Sequence, residues 1–197
     1  MILIRGVDMQ KLKQKIIEEG RVIGTTILKV DSFLNHQIDP QFTLEMGRDL
    51  AERFAGEGVT KVLTVEASGI AVALSTGLAL GVPVVFAKKG RASTQNAEVY
   101  TSEIFSFTRQ ESVGIYVSGR FLGPGDTVLI VDDFLAHGEA LKGMVEIARQ
   151  AGCRLAGVGI AIEKEFQGGG KKLRDQGIRI ESLAAIKSMS EGHIEFL

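Results

Sequence analysis

The stretch TVLIVDDFLAHGEALKG, residues 127 to 143, sets two carboxylates side by side, Asp132 and Asp133, after five apolar-leaning residues and ahead of a short loop around Gly138. A helix is expected to begin near Glu139. The N–H groups of a tight loop, joined to the free N–H groups of a helix start, form a concave anion site that suits a phosphate monoester. Gly138 lets the backbone come close to such a group. Two carboxylates just upstream suit a sugar phosphate, because a cis-diol offers two donors to two acceptors. Blander readings are a turn capped by Asp133, or the magnesium-holding half of a P-loop nucleotidase. The second needs G-x-x-x-x-G-K-[ST] earlier in the chain, and the sequence has none; QGGGKKL at 167–173 lacks both the spacing and the hydroxyl. Nor does GVGIAI at 157–162 carry the third glycine of a dinucleotide fingerprint.

A second strand end has the same layout: TVEASGI, residues 64–70, runs from apolar residues through Glu66 into Ala67, Ser68 and Gly69. It would make a second anion cradle, although small residues at such turns also serve packing alone. The stretch KKGRASTQNAEVYTSE, residues 88–103, is polar between apolar neighbours. Loops of that length are usually functional or disordered. Lys88 and Lys89 at its base suit a polyphosphate, and the rest is read as a lid, with a solvated surface loop as the plain alternative. Asn35 in DSFLNHQ and Lys164 after AGVGIAI are donors in apolar company, able to read carbonyl oxygens on a base. His36, His137 and His193 are not at ligand spacing, and with one cysteine, Cys153, no transition-metal site is expected.

These groups need elements to hold them. The reading predicts helices over about 8–19, 40–55, 70–80 and 139–151. Strands are expected at 61–66, 82–87, 127–131, 156–162 and 179–184, with strand-like pieces at 104–108 and 113–117. Near-continuous apolar strands alternating with helices argue for a parallel sheet covered on both faces. Ligands of such sheets bind beyond the carboxyl ends of the strands. Residues 69–87 carry no charge over a length that could span a bilayer. The Gly81-Val82-Pro83 break instead divides them into a buried helix feeding a buried strand.

The 197 residues fit one domain, 1–197. A net charge of −1, from 23 basic and 24 acidic residues, removes the bulk attraction on which non-specific nucleic-acid or anionic-membrane binding depends. The lone cysteine makes a cytoplasmic location the default expectation. Ile2, Leu3 and Ile4 before Arg5 are too few for the apolar region of a signal peptide.

VLIVDDFLAHGEA resembles the phosphoribosyl-pyrophosphate signature of the phosphoribosyltransferases. With ILKVDSFLNHQIDP, VEASGI, GLALGVPVVFAKK and GIAIEKEFQ, the chain is similar to the bacterial xanthine type of that family from about residue 10 to 197. The resemblance implies an α/β, type I phosphoribosyltransferase fold: a mostly parallel five-stranded core sheet flanked by helices (roughly 41–163), with a small hood from the termini (roughly 1–40 and 164–197). It implies transfer of the 5-phosphoribosyl group from phosphoribosyl pyrophosphate to xanthine, with Mg2+ on the pyrophosphate, in a homodimer. By position, Leu28, Asn35 and Lys164 would hold the purine, and Ala136, His137, Gly138, Glu139 and Ala140 the 5′-phosphate. Asp132 and Asp133 would meet the ribose hydroxyls and stabilise an oxocarbenium-like sugar. Ala67, Ser68, Gly69 and Lys88 would lie near the pyrophosphate. Donors at Asn35 and Lys164 match the two exocyclic carbonyls of xanthine, whereas adenine would need an acceptor for its amino group.

Some features depart from the wider family. Hypoxanthine-guanine relatives typically have an aspartate at the place of Ala136, so no general base is named. The loop lacks the usual threonines, and Glu139 is expected to point away from the phosphate. Adenine and guanine/hypoxanthine transferases are the rival enzymes. A purine-responsive regulator is the rival of another class, disfavoured by the lack of room for a winged helix before residue 28 and of a basic stripe.

Overall fold

The structure is a computed structural model and describes residues 9–90, 99–106 and 111–197. The chain opens with α1 (Met9–Glu19) and a small antiparallel pair, β1 (Arg21–Ile23) and β2 (Ile27–Lys29). A π-helical turn at Asp31–Asn35 follows, then α2 (Pro40–Arg53), β3 (Lys61–Val65), α3 (Gly69–Leu80) and β4 (Val84–Lys89). An antiparallel hairpin, β5 (Val99–Ser106) and β6 (Glu111–Ser118), precedes β7 (Thr127–Leu135) and α4 (Glu139–Gln150). The last elements are β8 (Arg154–Lys164), a 3-10 turn (Glu165–Gln167), α5 (Gly169–Arg174), β9 (Ile180–Ser190) and β10 (His193–Phe196).

The main sheet has the order β10-β9-β8-β7-β3-β4-β6-β5. Its five central strands, β9, β8, β7, β3 and β4, run parallel, as the alternating pattern predicts. Antiparallel strands close both edges. Alternate residues of β7 feed two cores. Leu129 and Val131 join α1, α2 and α3 through Ile16, Leu50, Phe54 and Val72, while Val128 and Ile130 pack on Leu141, Met144 and Ile147 of α4. Burial on both faces explains why these strands are apolar throughout rather than alternating.

Local chemistry sets the helix ends. Asp39 caps α2 by accepting from the Phe42 N–H at 3.0 Å, with Pro40 at the first helical position. Gly81, at φ 71°, ends α3 in the left-handed conformation. The uncharged run from 69 therefore becomes a twelve-residue helix followed by a strand, and no helix among the described residues is long and apolar enough to cross a membrane.

The strands reach further than their composition indicates. β7 continues through both aspartates to Leu135, because β8 supplies ladder partners that far: Asp132 opposite Ile160, Phe134 opposite Ile162 and Leu135 opposite Glu163. Aspartate disfavours strands, so a reading by propensity stops at 131, and the neighbouring strand overrides it. β8 likewise includes Lys164, and β9 runs on to Ser190. Residues 99–103 of the polar stretch are strand, paired with β6 from Val99 opposite Ser118 onward. Residues 91–98, the middle of the expected lid, lie outside the described residues.

Candidate active site

The aspartates end up nearly sealed, each 5 % exposed. Burial, reinforced by the charge of Asp133 beside it, pushes the Asp132 carboxyl well above the ordinary aspartate value. Lys89 pulls weakly the other way. Asp132 Oδ1 accepts the Asp133 N–H at 3.0 Å. Asp133 Oδ2 accepts from Asn35 Nδ2 at 2.9 Å, a bond that joins residues 98 apart in the chain. Asp132 meets the second cradle directly, since a Cβ on Gly69 would overlap both Asp132 Oδ1 and Thr64 Oγ1. Thr64 is fully buried, and its hydroxyl has no hydrogen-bond partner among the described residues.

Beyond Asp133 the strand gives way to the predicted loop. Gly138 takes φ 84°, which an L side chain rarely adopts, and its carbonyl accepts the Lys142 N–H to start α4. No side chain among the described residues caps α4, so its leading N–H groups are left for another acceptor. They border a cavity of about 140 Å³ lined by residues 134–141 and Phe105. Glu139 carries the wrong charge for an anion site, but its carboxylate pairs with Lys142 at 2.6 Å, one turn along the helix.

Ala67, Ser68, Asn35 and Lys89 share a larger cavity of about 920 Å³, bordered by Leu34 and Leu74. The two lysines of β4 part company here. Lys88 lines a separate cavity with Phe86 and Tyr116, so the structure does not bring it to the other predicted site residues. Successive side chains of a strand face opposite ways, and pairing of Lys88 with Tyr116 and Lys89 with Ile115 fixes the phase. Lys89 is the cation beside the aspartates, and its N–H also donates to Glu66 Oε1 at 2.7 Å.

Lys164 ends β8. Its Nζ donates to the Thr26 carbonyl at 2.8 Å and stands 5.3 Å from the centroid of the Phe134 ring. Burial lowers its pKa below the ordinary lysine value. Leu28 is buried in the core cluster with Val30 and Ile16, so its side chain serves packing. Phe134, one residue past the aspartates, borders the loop cavity and lies under Lys164, which joins the loop side to the lysine side. Sequence reasoning passed over Phe134, and of the two lysines it named for a polyphosphate it carried Lys88, not Lys89, to the pyrophosphate. An aromatic at the mouth of a strand whose other residues are aliphatic or acidic was the available signal for the first; for Lys89 no local signal separates it from Lys88.

The phosphoribosyl transferase domain model matches residues 39–189. The xanthine phosphoribosyltransferase of Heliobacterium modesticaldum is 68 % identical over 95 % of this chain and 100 % of its own length. That of Moorella thermoacetica is 61 % identical over the full length of both. Among solved structures, the adenine phosphoribosyltransferases of Giardia lamblia and Rhodothermus marinus superpose with TM-scores of 0.71 and 0.70. They cover 91 % and 90 % of this chain, and 98 % and 97 % of their own, at 21 % identity each, a likeness of fold alone. The domain match, the near-full-length identities and the shared fold agree: the chain belongs to the phosphoribosyl transferase family.

Proposed function

We propose that this protein transfers the 5-phosphoribosyl group of phosphoribosyl pyrophosphate to xanthine, giving xanthosine 5′-monophosphate and pyrophosphate in purine salvage. One observation carries the reading: the acidic pair at the end of β7 lies between an uncapped helix start on one side and, on the other, donors and a cavity that only the fold brings together. The family relationship supports it, through relatives at 61–68 % identity that bear the xanthine name.

In this mechanism the amides of Ala136 to Ala140 take the 5′-phosphate, with Glu139 neutralised by Lys142. Asp132 and Asp133 accept the ribose hydroxyls. As the bond to pyrophosphate stretches, their charge favours the developing positive charge on the sugar. Ala67, Ser68 and Gly69 line the pyrophosphate side, with Lys89 taking the place expected of Lys88. Asn35 and Lys164 offer donors to the two carbonyls of the base, and Leu28 takes part only through core packing. Phe134 gives the ring a flat apolar surface. Asn35 and Lys164 each have a donor to spare, since Asn35 spends one N–H on Asp133 and Lys164 one on Thr26.

Among the described residues no group of three or more His, Cys, Asp or Glu side chains could hold a metal. Two buried, adjacent carboxylates fit a hard cation shared with substrate oxygens rather than a protein cage. Mg2+ bound there would neutralise the departing pyrophosphate. We further propose a cytoplasmic homodimer in which residues 1–40 and 164–197 form a hood over a core of 41–163. Leu74 and Leu78, 61 % and 70 % exposed on α3, are apolar surface that a second copy would cover.

The test is an acceptor panel of xanthine, guanine, hypoxanthine and adenine with phosphoribosyl pyrophosphate. Xanthine is expected to give the highest kcat/KM, and preferred turnover of adenine would sink the assignment. The adenine reading rests on the adenine-named fold neighbours, but at 21 % identity they speak only of fold.

A further inference from the structure

Glu163 is 1 % exposed, yet no ligand role uses it. Its carboxylate accepts from Arg174 Nη1 and Nη2 at 2.7 Å each, and from Ser182 Oγ at 2.5 Å. Although burial opposes ionisation, these donors hold its pKa below the ordinary glutamate value. Arg174 is the last residue of α5, whose six residues begin at Gly169. A helix that short, entered through three glycines, has little stability of its own. The fork to Glu163 ties its far end to the sheet.

The near end of α5 rests on the phosphate loop. Gly169 N donates to the Ala136 carbonyl at 3.1 Å. A Cβ on Gly169 would overlap the backbone of Ala136, His137 and Gly138, and one on Gly170 would overlap Glu163 Oε1. Leu173, buried, packs with Leu135 and Leu141 in the same core. The glycine run at 168–170, which is no P-loop, therefore gives α5 a flat entry between the loop and Glu163.

We propose that the Glu163–Arg174 pair is a positioning device for the loop at 136–140. It sets the aim of the amides that take the 5′-phosphate without touching substrate itself. The proposal rests on reading that loop as the phosphate site.

The test is steady-state kinetics of the full chain, with phosphoribosyl pyrophosphate and xanthine varied separately, for Arg174→Ala, Arg174→Lys, Glu163→Gln and Gly138→Ala. Arg174 is 40 % exposed, so its variants can be read even where Glu163→Gln fails to fold. Arg174→Ala is expected to raise KM for phosphoribosyl pyrophosphate roughly tenfold, within the range seen when an outer partner of a ligand-holding group is lost. KM for xanthine should hold, since only the ribosyl donor meets the loop. Arg174→Lys should fall between, because a point charge cannot reproduce the fork. Added guanidinium ion should restore the donor KM of Arg174→Ala, whereas equal urea should not. Equal rises in both KM values, or an unchanged donor KM in a folded variant, would overturn the proposal. If Gly138→Ala raises the donor KM and Arg174→Ala does not, the clamp fails and the phosphate loop stands. If Gly138→Ala leaves it unchanged, the loop assignment fails and the clamp with it.

Discussion

Replacing Asp132 by asparagine should make the ligand-free protein more stable while crippling turnover. The carboxylate is 5 % exposed and sits against Asp133, so ionising it means desolvating a charge beside a like charge. Asparagine has the same shape and keeps an oxygen to accept the Asp133 N–H, now at 3.0 Å from Oδ1. Its amide can also donate to Asp133, turning repulsion into attraction. The expected gain is about 1–2 kcal/mol near neutral pH, the usual return on relieving a strained functional position. In a chain of this size that is roughly 2–8 °C in Tm. The sign with pH follows from the raised value. Wild-type Asp132 contributes stability below the ordinary aspartate value of 3.8 and loses it as pH rises through its higher folded value. The advantage of D132N should thus grow as pH rises through that folded value and fade toward the ordinary aspartate value of 3.8. Urea unfolding across that range checks it. Turnover should fall about a hundredfold, as when one preorganised electrostatic group is removed. A variant less stable than wild type at the alkaline end would refute the view that burial and repulsion dominate at this residue.

Four other substitutions probe the site. Lys164→Ala is expected to raise KM for the oxopurine far more than KM for the ribosyl donor, and equal loss of both would rule out a base-reading role. Gly69→Ala would drive a methyl into Asp132 and Thr64, both buried; overpacking of about 1–3 kcal/mol should appear in thermal melts, with impaired turnover. Lys89→Ala should weaken use of phosphoribosyl pyrophosphate more than Lys88→Ala does, and the reverse order in donor KM would restore Lys88 to the site.

The acidic pair, the loop around Gly138 and the helix after it were legible because each depends on neighbours in the chain: a buried apolar run, a carboxylate pair, a glycine able to take positive φ. The parallel sheet was legible for the same reason, since strands buried on both faces must be apolar along their length. What lay beyond reach was set by partners distant in sequence. The extension of β7 through Asp132 and Asp133 depends on β8, and the bond from Asn35 to Asp133 depends on the π-helical turn docking near the end of β7. Which of two adjacent lysines faces the aspartates is a matter of strand phase, fixed by β6 across the ladder. The glycines at 168–170 have no local meaning until α5 lies between Glu163 and the loop. The sequence by itself determined the chemical groups and the elements that carry them. Only the tertiary structure decided which groups meet, because a strand or helix determines the direction of its side chains but not what stands opposite.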